Sequence, residues 1–353
     1  METHMSKSIF LLKRRDDYNQ DPSYSGSYQI ATGMWNSANF VSEMLVENNR
    51  DSFVEMVIDS NAIDASVTSY NPNFVFIEGL WVTPAKMLEL ISIPRHSTRT
   101  WVVRIHSEIP FLSTEGIAME WIAEYLRLGI VVAPNAPRAH QQLKWFAERL
   151  GLSSLQVEQQ VVYLPNSYPT DFDPISGLNT SSKSHIDVAC FGAFRPLKNH
   201  LQQVFIASRF ADSIGKPLRF HVNNRLDSGG SPISKNVKET VEEMGHIVVE
   251  HPWEDRSTFL QSLRDCDLLL QVSMSETFNI VAADATYVGR PILVSNEIPW
   301  VHPLFADPQN VDKSLKALEA IWSNKSYYVQ NNRRGLQKYV TSSKVVWTNY
   351  IPQ

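Results

Sequence analysis

Two carboxylates eight residues apart, Glu276 and Asp284, are the residues of this sequence whose type and spacing most directly suggest chemistry. The pattern predicts a strand that ends at Val272, a turn that holds Glu276, and a helix that begins near Phe278 and includes Asp284. Amide groups at the start of such a helix can face an anion. Carboxylates beside them would accept hydrogen bonds from sugar or ribose hydroxyls. By spacing alone, Glu276 could equally cap the helix and Asp284 could be a solvated helix residue.

Hydrophobic periodicity alternates strands with helices in both halves of the chain. The strand segments are short, near-continuous apolar runs, which are typical of parallel strands buried on both faces. The predicted strands are Ile9–Lys13, Phe53–Ile58, Phe74–Ile77, Trp101–Ile105, Ile130–Ala133, Val161–Leu164, Ile186–Phe191, Leu218–Val222, Ile247–Glu250, Leu268–Val272 and Pro291–Val294. The predicted helices are Asn36–Glu47, Pro84–Ile91, Glu115–Leu128 and Pro137–Leu150, with others near 198–214, 232–244, 255–265, 277–288 and 311–348.

This alternation predicts an α/β fold of two Rossmann-like, doubly wound parallel-sheet domains facing a cleft. A chain of 353 residues is too long for one ordinary core, which supports a division into two domains. Residues 169–185 consist of turn-formers and polar residues, so we expect a linker there. The predicted domains are residues 1–168 and 186–353, and terminal helices of the second could pack back on the first. Ligands are expected at the carboxyl ends of the strands.

Composition argues against several classes of protein. The net charge is −5, so no global field draws the protein to nucleic acid, although a local basic groove is still compatible with it. No apolar run approaches the roughly 20 residues that span a bilayer, and no signal-peptide h-region is present. We therefore expect a cytoplasmic protein without membrane insertion. Cys190 and Cys266 each lie beside an apolar, strand-like run, which favours buried free thiols in a reducing compartment over a disulfide. The absence of CxxC spacing excludes a structural zinc site of the usual kind.

The segment Ser273–Ser295 resembles the donor-binding signature of GT-B glycosyltransferases of the family 4 type. That signature has Ser-Glu, then Phe-Gly, a second acidic residue eight after the first, and a later Gly-x-Pro before a strand. The resemblance implies a nucleoside diphosphate sugar as donor, with UDP as the expected nucleotide, and no further cofactor. The donor-binding residues it implies in this segment are Glu276, Thr277, Phe278, Asn279 and Asp284.

The resemblance also assigns roles within the segment. Asp284 would hold the nucleotide ribose, and Glu276 would approach the donor sugar hydroxyls as a catalytic-site residue. Two departures from the family pattern bear on this pocket. Asp284 replaces the usual glutamate and shortens its reach by one methylene, and Asn279 replaces a glycine whose backbone amide approaches the donor.

A second matching segment, Cys190–His200, follows the first strand of the C-terminal domain. The family places an arginine and a lysine here to bind the donor diphosphate. Lys198 matches the lysine, and it would neutralise the leaving diphosphate as a catalytic residue. The arginine is missing from its usual place, and Arg195 could reach the same phosphate or simply lie on the surface.

In the N-terminal half, His106 lies just past a predicted buried strand and is similar to the family's post-strand histidine, which contacts donor sugar or phosphate. We expect it to be catalytic, and a structural role is the alternative. Glu108 is a candidate for acceptor binding or proton abstraction. Gly33 resembles the family's glycine in the loop near the donor phosphates. Asn36 and Ser37 after it are expected to cap a helix.

The segments GMWNSANF, IEGLW, RIHSEIPF and VVAPNAPR resemble glycosyltransferases encoded in bacteriophage genomes. This resemblance implies a hydroxymethylated pyrimidine in phage DNA as one acceptor, and the host cytoplasm as the location. Arg14 and Arg15 could meet such a polyanion, and Arg104 and Arg138 could extend the patch, although a solvated charge run is the alternative. Asp171-Phe172-Asp173 has the DxD spacing of metal-dependent glycosyltransferases, but it lies in the predicted linker, so no metal is expected.

The resulting hypothesis is a retaining glycosyltransferase that moves a sugar from a nucleoside diphosphate sugar to an acceptor hydroxyl. The leaving phosphate would help to deprotonate the acceptor, which explains why no pair of catalytic carboxylates like that of a glycosidase is evident. Three alternatives stay open. The acceptor could be a glycan, lipid or protein, the chain could be an epimerase or phosphorylase of the same fold, or it could be a non-catalytic binding protein.

Overall fold

The computed structural model describes residues 6–14, 33–178, 183–224, 230–298 and 300–353. They form two compact units, one that contains residues up to 168 together with 340–353, and one that contains residues 169–339. Within the described residues each unit has a five-stranded, all-parallel sheet flanked by helices. The predicted fold class, two parallel α/β domains, is confirmed.

The first unit has the sheet order β2-β1-β3-β4-β5. Its strands are β1 (Lys7–Lys13), β2 (Asp51–Val57), β3 (Phe74–Glu78), β4 (Thr100–Ile105) and β5 (Val131–Pro134). Its helices are α1 (Gly33–Glu47), α2 (Ile63–Tyr70), α3 (Pro84–Ser92), α4 (Ile109–Leu112), α5 (Ala118–Arg127), α6 (Pro137–Arg149) and α7 (Ser154–Gln160).

Apolar residues on both faces of these strands explain why the sheet is buried on both sides. On one face, Ile9 packs in a cluster with residues of β3 and β4. On the other, Phe10 stacks on Phe76 with ring centroids 4.5 Å apart. Trp347, near the end of the chain, is fully buried in that second cluster, and its indole nitrogen donates to the Pro165 carbonyl over 2.7 Å. The last residues of the chain are therefore part of the first unit's core.

The second unit has the sheet order β10-β9-β6-β7-β8. Its strands are β6 (Ile186–Cys190), β7 (Leu218–Asn223), β8 (Ile247–His251), β9 (Leu268–Gln271) and β10 (Ile292–Val294). Its helices are α8 (His200–Ser213), α9 (Gly230–Glu243), α10 (Arg256–Asp265), α11 (Ile280–Tyr287) and α12 (Val311–Ser323), while α13 (Lys325–Tyr350) begins here and ends in the first unit.

Several predicted elements differ from the structure. The segment Val161–Leu164 makes a single bridge to β5, at Val161, instead of a sixth strand. The stretch 311–348 is two helices, because α12 ends at Ser323 and the next residue, Asn324, has the non-helical angles φ −141° and ψ 54°. The short helix α7 was not predicted, although Ser153 and Gln156 form a capping box that marks its start.

The segment 169–185 does not stand apart from both units, since its described residues belong to the second. Asp173, of the DxD sequence, accepts hydrogen bonds from the Arg264 guanidinium over 2.5 and 3.0 Å.

Cys190 and Cys266 are buried free thiols, as predicted, and burial raises the pKa of Cys190 to about 12. No helix in the described ranges is long and apolar enough to cross a membrane.

Candidate functional site

The candidate site of the second unit is built from the loops that follow β6 and β9. These two strands are parallel neighbours, so their carboxyl ends lie at one edge of the sheet. The amide of Met274 in the second loop donates to the Leu197 carbonyl in the first over 2.8 Å. The Asn199 side chain donates to the Val272 carbonyl over 3.1 Å. The two loops are therefore held together by one backbone–backbone bond and one bond from a side chain to the backbone.

This arrangement brings together two predicted site residues that are far apart in sequence. The Lys198 ammonium forms an ion pair with the Glu276 carboxylate, and their side chains are 21% and 10% exposed. Lys198 ends a short 3₁₀ turn, Pro196–Lys198, that leads into α8. A lysine has three donors, so one ammonium can serve both a carboxylate and a phosphate oxygen.

The start of α8 offers further donors beside this pair. Asn199 occupies the N-cap position with φ of 59°, and its side chain makes no capping bond to the helix. That side chain instead donates hydrogen bonds to the carbonyls of Val272 and Pro308. The first-turn amides of α8 are thus left without a side-chain cap, which is the arrangement that favours an anion. Arg195, half-buried, lies in the same loop.

Asn279, which stands where the family has glycine, adopts φ of 58°. Asparagine is one of the few residues that tolerate a positive φ, so the backbone shape that glycine would allow is available to it. Its side chain accepts from the Ala282 amide over 2.9 Å and donates to Gln271 over 2.8 Å. Asn279 therefore caps α11 and joins it to the end of β9.

Asp284 lies within α11 and is 2% exposed, so it is not a solvated helix residue. Its carboxylate lies 3.5 Å from the Arg256 guanidinium. Phe278 is buried against Trp300 and Tyr339, with ring centroids 5.7 and 5.1 Å away, and its carbonyl accepts from the Trp300 indole. Thr277 is half-buried beside it. Phe278 thus anchors the loop by packing.

The folding stability of the protein is expected to depend on pH through His200, the first residue of α8. Burial and the positive charge of Lys198 lower the pKa of His200 to about 3, although the backbone of Gly192 acts in the opposite direction. An unfolded histidine has an ordinary pKa of 6.5, so the unfolded chain takes up a proton that the folded chain refuses as pH falls below 6.5. The free energy of unfolding is therefore expected to decrease below pH 6.5, by up to about 1.4 kcal/mol per pH unit from this residue.

Urea unfolding at a series of pH values checks this expectation with His200→Phe, which keeps a ring against Phe194 but cannot be protonated. Between pH 6.5 and 4.5, the free energy of unfolding should depend less steeply on pH in the variant than in the wild type, by the slope that one bound proton contributes. His185→Phe is the matched control, because its side chain is 28% exposed. Equal slopes for His200→Phe and the wild type would contradict the assignment.

In the first unit, His106 directly follows β4, as predicted, and its side chain is 14% exposed. Its Nε2 atom bonds the carboxylate of Glu78, the last residue of β3. Glu78 is also bound by the buried Arg104, at 2.9 and 3.1 Å. The sequence interpretation missed Glu78, which directly follows the predicted strand Phe74–Ile77, because only the order of the strands in the sheet places it beside His106.

Other predicted residues of the first unit are placed as follows. Glu108 is 4% exposed, and its carboxylate lies 3.3 Å from the Arg138 guanidinium. Arg14 directly follows β1, and its amide donates to the Val57 carbonyl over 2.7 Å. Arg15 lies outside the described residues. Arg104 is fully buried, so its expected place in a surface basic patch is wrong.

Gly33 is the first residue of α1, and the residues just before it lie outside the described ranges. Asn36 and Ser37 are inside this helix, so their predicted capping role is wrong. The Ser37 hydroxyl instead accepts from Asn166 over 3.4 Å. In the part of the chain that the structure describes, no group of three or more His, Cys, Asp or Glu side chains is arranged to hold a metal ion.

No family model matches this sequence, and no curated protein resembles it at a significant level. Solved structures share its fold at low sequence identity. Sucrose-phosphate synthase from Thermosynechococcus elongatus is 13% identical, with a TM-score of 0.66 over 98% of both chains. HepE of Anabaena, solved in complex with UDP, is 13% identical, with a TM-score of 0.59 over 98% of this chain and 97% of its own.

A TarM mutant from S. aureus, solved with Fondaparinux, alpha-GlcNAc-glycerol and UDP, is 13% identical with a TM-score of 0.58. The match covers 79% of this chain and 55% of the TarM chain, so TarM is considerably longer. At such identities the likeness establishes the fold, and function has to be argued from the site. The chain has the two-domain fold of the GT-B glycosyltransferases.

Proposed function

We propose that this protein is a glycosyltransferase that uses a UDP-sugar donor, whose diphosphate is bound at the β6 and β9 loops of the second unit. The ion pair of Lys198 with Glu276, ahead of the uncapped start of α8, carries this proposal. Solved structures of the same fold that contain UDP support the choice of nucleotide. Lys198, with Arg195 in the same loop, would meet the diphosphate, and Glu276 would meet donor sugar hydroxyls.

The chemistry we propose is transfer with retention of anomeric configuration. The bond from the anomeric carbon to the diphosphate oxygen breaks, and its electrons stay on that oxygen. The acceptor oxygen forms the new bond to the anomeric carbon, and its proton passes to the leaving diphosphate. Lys198 stabilises the charge that develops on the departing group. The anomeric configuration of the product, measured by NMR, tests retention.

A panel of UDP-sugars with labelled sugar tests the activity itself. A transferase releases UDP and moves the label to an acceptor. An epimerase would change the sugar without releasing UDP, a phosphorylase would need phosphate, and a binding protein would leave the donor intact. Each of these three outcomes contradicts the proposal.

For the acceptor, we propose a hydroxyl of a hydroxymethylated pyrimidine in DNA, on the strength of sequence resemblance alone. Transfer of label to hydroxymethylated DNA, with unmodified DNA of the same sequence as control, tests it directly. Label that reaches a glycan, lipid or protein instead would retain the glycosyltransferase and replace its acceptor.

Asp284 is proposed to bind the ribose of the donor. Asp284→Asn is expected to weaken UDP binding by about 10- to 100-fold, the range of a lost hydrogen bond to a charged group. The penalty should largely disappear with a dideoxyuridine diphosphate, which lacks the ribose hydroxyls. Isothermal titration calorimetry measures both.

The control for this experiment is Asp255→Asn, because Asp255 caps the neighbouring helix α10 through the Thr258 amide and asparagine can do the same. It should bind UDP as the wild type does. A dissociation constant for Asp284→Asn equal to that of the wild type, or an equal penalty with the dideoxy nucleotide, would contradict the assignment of Asp284 to the ribose.

A further inference from the structure

Two buried glutamines of the second unit connect the loops that carry Lys198 and Glu276. Gln203 lies in α8, and Gln271 is the last residue of β9. Glutamine is mostly an exposed residue, because a buried carboxamide needs hydrogen-bond partners for both its oxygen and its nitrogen. Each of these two side chains finds one partner in the loop after β6 and the other in the loop after β9.

The Gln203 carboxamide joins Lys198 to the first residue after β9. Its Nε2 atom donates to the Lys198 carbonyl over 2.8 Å, and its Oε1 atom accepts from the Val272 amide over 2.9 Å. A carbonyl can only accept and an amide N–H can only donate, so the reversed carboxamide would satisfy neither group. Gln203 therefore links the backbone of the lysine to a point four residues before Glu276.

The Gln271 carboxamide makes a second link, on the other side of Glu276. Its Nε2 atom donates to the Phe191 carbonyl over 2.8 Å, and its Oε1 atom accepts from the Asn279 side chain over 2.8 Å. The direction of this chain is fixed, because the Asn279 oxygen accepts from the Ala282 amide. The turn that holds Glu276 is thus tied to the loop after β6 both before and after the carboxylate.

We propose that Gln203 and Gln271 are positioning residues that hold the Lys198 ammonium and the Glu276 carboxylate facing each other before the donor binds. Loops are more mobile than the strands they follow, whereas stabilising a leaving group requires a charge that is already in place. Three of the four bonds are buried, where water competes with them less. The role in sugar transfer rests on the proposed function, while the link between the loops does not.

Amide hydrogen exchange in the free, full chain tests the link. The Met274 amide donates to the Leu197 carbonyl and so reports whether the two loops are joined. Gln203→Met keeps the length of the side chain and removes both of its hydrogen bonds. Exchange at Met274 should become faster by about tenfold or more, while exchange at the Phe220 amide in β7 changes by less than about threefold. Equal acceleration at both amides, or an unchanged rate at Met274, overturns the proposal.

Initial rates of transfer from a UDP-sugar test the positioning. Gln203→Met is expected to lower kcat by about tenfold or more, with a donor KM within about threefold of the wild type. In a Lys198→Met background the same substitution should lower kcat by less than about twofold, because Gln203 acts through the lysine. Equal losses of kcat in the two backgrounds overturn the proposal.

Gln203→Met leaves the Val272 amide buried without its acceptor and could therefore prevent folding. Gln271→Met breaks the other link, leaves that amide satisfied, and is measured beside it with the same expected results. Gln202→Met is the control, because Gln202 is half-buried in the same helix and its side chain bonds no other described residue. It should leave kcat and exchange at Met274 unchanged. If the wild type transfers sugar from no donor, the proposed function fails, and exchange at Met274 still decides whether the glutamines join the loops.

Discussion

Lys198→Met is expected to lower kcat for sugar transfer by roughly 10²–10³-fold, the loss typical of removing one preorganised group that stabilises developing charge. Lys198 offers its ammonium at the start of α8, where Glu276 holds it in place. The methionine keeps the length of the side chain and removes the charge. Initial rates of UDP release over a range of donor concentrations measure kcat and KM separately.

The ion pair with Glu276 predicts a second effect of Lys198→Met, on donor binding. Without the ammonium, the Glu276 carboxylate is left unpaired beside the donor phosphates, so the donor KM of Lys198→Met should rise as well. The double variant Lys198→Met/Glu276→Gln removes that repulsion. It should recover donor binding measured by calorimetry while kcat stays low.

Lys313→Met is the matched control, since Lys313 lies in the same unit, is 70% exposed and pairs with Asp307. It is expected to keep the kcat and KM of the wild type, because exposed ion pairs contribute little. A Lys198→Met protein with the wild-type kcat would mean that this lysine has no part in the chemistry.

Gly335→Ala is expected to destabilise the protein by about 3 kcal/mol, although alanine is the better helix former. Gly335 lies inside α13, and a Cβ atom built there would be 2.0 Å from the carbonyl oxygen of Trp300. Trp300 is buried, and its indole donates to the Phe278 carbonyl in the β9 loop. The helix cannot accept a methyl group here unless that backbone moves. Scanning calorimetry should show a melting temperature lower by roughly 6–12 °C.

Gly116→Ala is the control for this substitution. No atom lies within 4 Å of a Cβ built at Gly116, and its φ is not positive, so the melting temperature should stay within about 1–2 °C of the wild type. Helix propensity alone predicts the opposite result for Gly335→Ala, a gain of up to about 1 kcal/mol. A melting temperature that is unchanged or higher would therefore contradict the close approach to Trp300.

The strands and most helices could be predicted from the sequence, because their signals are short in range. The apolar run that became β1 and the proline at the start of α3 are examples, since each element is decided by a few neighbouring residues. Val161–Leu164 has the same apolar signal but makes only one bridge. Whether a run joins a sheet depends on the strand available to pair with it, which local pattern does not contain.

The sequence by itself determined the two parallel α/β domains and placed Lys198, Glu276 and His106 in segments that follow buried strands. Tertiary structure alone decided which of these segments meet. The adjacency of β9 and β6 joins Lys198 to Glu276, and that of β3 and β4 gives His106 its carboxylate. Strand order is set by the packing of whole elements across long stretches of chain, so partners such as Glu78 can be named only after the sheet is known.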